Sequence, residues 1–361
     1  KGIATSIGHA PQAGLADPAK GSVLAVSEAL TNIVLAPLAN GIRSISLSAN
    51  WMWPCRSQEG EDARLYRGVE ALSDFCCALN INVPTGKDSL SMTQKYPDGT
   101  KVISPGTVIV SAGGEVSDVR KVVSPVMVNE PKSAFYHIDF SFDHLRLGGS
   151  AFAQTLNCIG DDVPTVANPE YFAEMCFANT TGGMEINLDS VVEDDIVKLL
   201  FAENPALVIQ VADKDKCRMQ AILDDAGICF VKIGTPCAKR HIAVAKNRRT
   251  RLFDIDHYRD VWFDSSYLMD LKQSFNGCAS ERLKNYKNQP LRFRMPSRFN
   301  GMLSSYGMSA DRREKSGVRA AIIREKGTNG EREMAYAMHL AGFDVKDVTM
   351  TDLISGRETL D

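Results

Sequence analysis

Long apolar runs are missing from these 361 residues. None approaches the ~18 consecutive apolar positions that a membrane helix needs, so no membrane span is expected. Charge of one sign is scarce as well. The 41 Lys and Arg nearly balance the 44 Asp and Glu, giving a formal net charge of -3. That balance argues against a general partner of nucleic acid or of an anionic membrane. The one basic stretch, Lys239-Arg240 to Arg248-Arg249-Thr250-Arg251, has no interleaved aromatics and reads as a solvated turn. The nine cysteines include no CxxC pair and no Cys/His cluster at zinc spacing. Free, mostly buried thiols in a reducing cytoplasm are the expectation, with Cys76-Cys77 in a helix core. No basic-then-apolar leader stands at the start. The opening residues lack a Met and read as a strand running into a loop, so the chain is expected to begin partway through a domain. No Ser/His/Asp or Cys/His triad can be assembled from the sequence.

What is present is an ordinary globular composition, 44% apolar and 24% charged, over a length that suits two or three domains. Glu28 and Asn32 stand out. They lie four residues apart in a small, apolar stretch from Val23 to Leu35. On a helix that spacing puts a carboxylate and an amide carbonyl on one face, and hard oxygen ligands suit Mg²⁺. The rest of the helix is apolar, so Glu28 is expected to be a buried carboxylate needing a compensating partner. Spacing alone leaves a structural salt bridge, with Asn32 capping nearby backbone, as the alternative.

Helix is expected from Asp17-Pro18 to Leu38 and from Glu61 to Leu79. Strands are expected at 42–47, delivering Asn50 to their end, at 81–83 and at 107–112. Gly86-Lys87-Asp88-Ser89 then falls at a strand exit, either a phosphate-binding set or a charged turn. Gly148-Gly149-Ser150, ahead of a helix at 151–157, either offers amides to an anion or simply starts that helix. Asn50 either faces a ligand or orders its turn. His9 reads as structural. Further strands at 135–140, 207–211 and 229–233, with helices at 214–225 and 254–273, have a ferredoxin-like rhythm. Residues 285–317 are a linker by composition. Beyond it, a strand at 318–323, a helix at 331–340 closed by Gly342 and a strand at 344–349 form one βαβ unit.

Together these segments resemble the large, single-chain phosphoribosylformylglycinamidine synthases. The residues that carry the resemblance include Gly8-His9-Ala10-Pro11, Ser27 to Asn32, Ser48-Ala49-Asn50-Trp51-Met52, Gly60-Glu61-Asp62-Ala63, and Gly86 to Met92. Val116 to Arg120, Gly148-Gly149-Ser150, Glu203-Asn204-Pro205 and Arg324 to Asn329 extend it along nearly the whole chain. The resemblance implies a fold of mixed α/β and α+β type. Residues 1–125 and 126–284 would be the two subdomains of an aminoimidazole-ribonucleotide-synthetase-like half. Residues 285–317 would be the linker, and 318–361 the first βαβ unit of a class I glutaminase domain.

It also implies a cytoplasmic purine-biosynthesis ligase that converts formylglycinamide ribonucleotide, ATP and glutamine to the formylglycinamidine. ATP phosphorylates the amide oxygen, and glutamine-derived ammonia displaces the phosphate. Glu28 and Asn32 would hold Mg²⁺ on an auxiliary, structural ATP or ADP. Gly86, Lys87, Asp88, Ser89, Asn50, Gly148, Gly149 and Ser150 would contact the nucleotide. The first synthetase half and the rest of the glutaminase would be partners, with no nucleic acid and no membrane. A non-catalytic nucleotide-binding or assembly module is the alternative. Synthetase halves pair to close a central barrel, so an apolar pairing face and self-association of the isolated chain are expected.

The chain departs from the family pattern in three places. An earlier Asp metal ligand would lie upstream of Lys1. The family's Asp-x-Ser-x-Gly-Gly motif, between the segments matching Tyr171-Phe172 and Glu174-Met175, is missing, and Thr181-Gly182-Gly183 does not replace it. The glutaminase Cys, His and Glu would lie beyond Asp361, so no catalytic residue is assigned.

Overall fold

A computed structural model describes residues 1–56, 58–123, 127–167, 183–288, 297, 300, 302–309 and 311–360. The expected motif gap near Tyr171 and the prolines Pro290 and Pro296 lie outside these residues. Two compact units result, Lys1–Phe275 and Asn276–Asp361.

The first unit opens with β1 (Gly2–His9), α1 (Pro11–Ala16) and α2 (Pro18–Ile33). Asp17 caps α2 by accepting from the amides of Ala19 and Lys20, and Pro18 takes the first helical position. Eleven of the sixteen α2 residues are buried, as the apolar pattern requires. The helix stops at Ile33, short of the expected Leu38, because Pro37 disfavours helical backbone before it. Next come β2 (Ala39–Ile42), β3 (Ile45–Met52), α3 (Glu61–Ala78), β4 (Asn82–Ser89), a small hairpin of β5 (Thr93–Lys95) and β6 (Lys101–Ile103), and β7 (Thr107–Val116).

The four-stranded sheet has the order β1-β7-β3-β4, antiparallel except for the parallel β3–β4 pair. Two expected strand exits are in fact strand, and β7 runs on past its expected end at 112. Ser48 to Met52 continue β3, Gly86 to Ser89 belong to β4, and Gly113-Gly114 sit inside β7. Ladder pairing to neighbouring strands overrides the turn-forming tendency of Asn, Gly and Asp there.

The helices cover the face of Ile45, Leu47, Ala49, Val108, Val110 and Ala112, all buried. The opposite face is open among the described residues of this unit. Its rows, read across β1, β7, β3 and β4, are Thr5–Gly113–Ser46–Asn82, Ile7–Ser111–Ser48–Thr85 and His9–Ile109–Asn50–Lys87; the Asn82 pairing lies before a register shift. The apolar pairing face that the resemblance implied is therefore mostly Ser, Thr, Gly and Asn, with isoleucines toward one edge.

The second sheet comprises β8 (Ser133–Asp139), β9 (Gly183–Asn187), β10 (Ala206–Ala212), β11 (Phe230–Cys237), β12 (His241–Lys246) and β13 (Arg249–Asp254). Its order is β10-β8-β11-β9-β12-β13, with only β9–β12 parallel. Helices α4 (Ala151–Thr155), α5 (Ile196–Phe201), α6 (Lys216–Asp225) and α7 (Ile255–Gln273) accompany it. Tyr136, Ile138, Leu207 and Ile209 join the α2 and α3 side chains in one continuous core. Phe135, Ile233 and Val244 form a second core on the other face of this sheet.

The second unit contains α8 (Cys278–Asn285) and the expected βαβ: β14 (Arg319–Arg324), α9 (Glu331–Leu340) and a parallel β15 (Asp344–Thr349), followed by α10 (Met350–Ile354).

Of the eight described cysteines only Cys76 is buried, against the expectation of mostly buried thiols. Burial pushes its thiol up to about 11. Cys77, one position round α3, is exposed.

Candidate functional site

The exposed positions of α2 come together at the end of β1. Glu28 and Asn32 are both exposed, whereas Ser27, Ala29, Leu30 and Ile33 beside them are buried. Glu28 is thus not the buried carboxylate expected. The strip of α2 that carries it lies along β1, which is an edge strand of its sheet. No basic side chain pairs with Glu28 among the described residues, so the salt-bridge half of the alternative is not realised, while its other half, Asn32 bonded to nearby backbone, is. Instead Glu28 Oε2 accepts the His9 amide at 2.7 Å, and Asn32 Nδ2 donates to the Ile7 carbonyl at 3.1 Å.

These two bonds fix the pair against β1. They leave Glu28 Oε1 and Asn32 Oδ1 outside, two hard oxygens one helical turn apart. That donor set fits Mg²⁺, with water or phosphate oxygens completing its shell. Gly8 makes the arrangement possible. A Cβ there would stand 1.9 Å from the Ala25 carbonyl oxygen and 2.4 Å from the Ala29 amide nitrogen, so only glycine lets β1 lie this close to α2.

A cleft of about 330 Å³ opens beside Glu28 and is lined by His9, Gln12, Gly148, Gly149 and Glu203 among others. Sequence-flagged residues from two distant segments, Glu28 and Gly148-Gly149, therefore share one wall. The amides of the glycine loop are not aimed into the cleft. Gly148 donates to Asp162, Gly149 to Ile159 and Ser150 to Leu147, while the Ala151 amide donates to Glu203 Oε1 at 2.7 Å. Ser150 is buried and caps α4 through the Ala153 amide. The loop builds a wall and offers no anion cradle, which favours the helix-start reading.

Arg146 locks this loop. It forms a two-pronged ion pair with Asp143 at 2.8 and 2.9 Å and a second with Asp162. Burial alone would push the Asp143 carboxyl up, but the Arg146 hydrogen bonds and charge hold it below its usual range. Asn204 accepts the Arg146 amide and donates to Ser141 and His144. Glu203 had no chemical signal of its own in the sequence beyond its place in a motif. Only the fold shows that it faces the cleft.

Gly86, Lys87, Asp88 and Ser89 do not act together. In a strand, alternate side chains leave opposite faces. Lys87 and Ser89 face the open side and hydrogen-bond each other, while Gly86 and Asp88 pair with Ala49 and Trp51 on the helix side. The segment is strand, so its four side chains do not converge as those of a loop would. Lys87 does share a cross-strand row with Asn50 and His9, which spans three strand spacings, about 14 Å. In that row Asn50 Oδ1 is buried with no hydrogen-bond partner among the described residues. An orphaned buried acceptor is uncommon in folded proteins and marks a place where a ligand donor fits.

Comparison with known proteins agrees at several levels. Residues 1–115 match the FGAR-AT PurM_N-like domain model, and residues 317–361 match the CobB/CobQ-like glutamine amidotransferase domain model. The human phosphoribosylformylglycinamidine synthase is 33% identical over 399 positions, covering 100% of this chain and 29% of the relative. The Schizosaccharomyces pombe synthase is 31% identical, with 100% and 30% covered. A probable chloroplastic/mitochondrial synthase of Arabidopsis thaliana is 32% identical, with 100% and 27% covered. Since 399 aligned positions face 361 residues, 38 positions of the human alignment have no counterpart here. Thermotoga maritima PurL, solved in complex with FGAR, shares the fold at TM-score 0.53 and 11% identity, over 71% of this chain and 45% of that one. The chain is thus similar along its whole length to phosphoribosylformylglycinamidine synthases, with domain matches at both ends, and spans about three tenths of the length of these curated relatives.

Proposed function

We propose that this chain is part of a cytoplasmic ligase that makes formylglycinamidine ribonucleotide from formylglycinamide ribonucleotide, ATP and glutamine. Its own contribution is a Mg-nucleotide site held by Glu28 and Asn32. The observation that carries this reading is an exposed carboxylate lining the cleft, with the exposed Asn32 amide one turn further along a mostly buried helix. A solvent-facing carboxylate with no cationic partner among the described residues is placed for a cation.

Mg²⁺ held by Glu28 and Asn32 would neutralise phosphate charge on a bound ATP or ADP. The protein's own groups do the rest. The His9 amide orients the Glu28 carboxylate, and the wall of Gly148, Gly149 and Glu203 bounds the cleft. Lys87 offers a point charge and Asn50 an acceptor along the open face. First-half residues, the remaining glutaminase and glutamine-derived ammonia complete the reaction outside this chain. Turnover is assigned to the complete assembly, and the isolated chain is expected to show no ammonia-dependent synthesis.

Titration calorimetry with ADP tests the site. The expected result is binding that requires Mg²⁺ and weakens about ten- to hundredfold in Glu28→Gln. That range corresponds to losing one charge-assisted oxygen contact of about 1.5–3 kcal/mol. Equal affinity with and without Mg²⁺, or an unaffected variant, would remove the assignment. Because Glu28 is exposed, the substitution leaves the fold intact, and a circular dichroism spectrum checks this.

A further inference from the structure

Among the described residues, one group unites three different metal-ligating side chains. Glu185, Cys237 and His241 place their ligand atoms within 4.8 Å of one another. Cys237 Sγ lies 4.0 Å from His241 Nε2 and donates to the Lys239 carbonyl at 3.5 Å. The sequence carries no recognisable zinc spacing, since Glu185 is far from the Cys-x₃-His pair. The fold brings them together because β9 inserts between β11 and β12. Cys237 ends β11 opposite Gly183, His241 begins β12, and Glu185 stands two residues along β9 on the same face. The turn from Cys237 to His241 must therefore cross over the start of β9. It does so closely: a Cβ on Gly183 would meet the His241 carbonyl oxygen at 2.1 Å and that of Lys239 at 2.3 Å.

We propose that Glu185, Cys237 and His241 form a Zn²⁺ site that clasps β9 into the second sheet. A thiolate, an imidazole and a carboxylate are the borderline-soft set that suits zinc and disfavours magnesium. Their charges sum with the metal ion to zero. In tetrahedral zinc, bonds of ~2.3 Å to sulfur and ~2.0 Å to nitrogen separate those atoms by about 3.5 Å. The pair must close by about half an ångström, within side-chain reach. The adjacent Arg240 is engaged by Asp256 at 2.8 and 2.9 Å, so its charge is matched. Cys237 and His241 are half-buried and Glu185 is exposed, which leaves the fourth position to water. On binding, the Cys237 thiol gives its proton to solvent and becomes thiolate, so zinc affinity falls as pH falls. This site is separate from the Glu28 and Asn32 pair and does not depend on it.

The test uses the whole 361-residue chain, stripped of metal and titrated with Co²⁺ as the spectroscopic stand-in for zinc. The expected result is one equivalent bound, with tetrahedral d–d bands and a thiolate-to-cobalt charge-transfer band that excess Mg²⁺ does not erase. Zinc should displace the cobalt and raise the melting temperature of the apo chain. Cys237→Ser should abolish the charge-transfer band, and Glu185→Gln should weaken binding by roughly tenfold or more. Glu185 is exposed, so that variant keeps the proposal testable if Cys237→Ser misfolds. Zinc should also slow alkylation of Cys237 while leaving the exposed Cys278 unprotected. Absence of the bands, their survival in Cys237→Ser, or Glu185→Gln binding like the parent would overturn the site.

Discussion

At the scale of single residues, the site rests on a contact that contributes no chemistry. Gly8 lets β1 approach α2, and that approach brings the His9 amide to Glu28. Gly8→Ala forces a methyl group into the backbone of Ala25 and Ala29, neither of which can rotate away. Overpacking of this kind costs about 1–3 kcal/mol. We expect a lower melting temperature and, separately, weaker Mg-dependent ADP binding, because β1 must retreat and carry His9 with it. Calorimetric titration beside a thermal melt checks both; a variant that loses stability but binds ADP like the parent would uncouple Gly8 from the site. The Glu28 and Asn32 pair was legible from sequence because helical spacing is local. The row of His9, Asn50 and Lys87 was not, since it depends on the registers of β1, β7, β3 and β4, which join residues 36 to 114 positions apart. The three groups of the zinc clasp were hidden for the same reason.

At the scale of elements, signals held within one segment were read correctly. Asp17-Pro18 starts α2, and the expected bounds of α9 and β15 are the observed ones. Strand ends were misread because turn-forming residues in β3, β4 and β7 are held in strand by their neighbours. The linker shows another case of local composition overridden by contact. Its last residues are tied to the second unit, with Asp344 accepting from Arg312 at 2.9 Å and from the amides of Ser316 and Gly317 at 3.0 and 2.8 Å. The Ser316 amide, the Arg312 hydrogen bond and the Gly317 amide hold the Asp344 carboxyl down at about 2. In the unfolded chain an Asp titrates near ~3.9. A carboxyl depressed in the folded state stabilises fully above the unfolded value, and the contribution is lost as pH falls through the folded one. Hydrogen-exchange protection of β14 and β15 should therefore be level above about pH 4 and decline between about pH 4 and 2. Asp344→Asn should lower the plateau and flatten that decline. A parallel decline in the variant would assign the effect to other carboxyls.

At the scale of the molecule, the described residues of the first unit cover its first sheet on one side only. A sheet with a single covered face is stable when its other face is solvated or covered by a partner. Here the open face is divided. Ile3 and Ile7 on β1 are 80% and 60% exposed, while Ser46, Ser48, Thr85, Ser111 and Gly113 make the rest small and polar. Two such faces would meet through the isoleucine edge, with hydroxyls left to pair across the centre or hold water. Association of that kind is weaker than an all-apolar face would give, because buried hydroxyls must each find a partner. We expect the isolated chain to self-associate in a concentration-dependent way, visible as a rising mass in light scattering. Ile7→Lys should return it to monomer with an unchanged circular dichroism spectrum, since Ile7 contributes little to the core of its own chain and a buried lysine at the interface would lack a counter-charge. A parent chain that stays monodisperse and monomeric at high concentration would show that this face is satisfied by water alone.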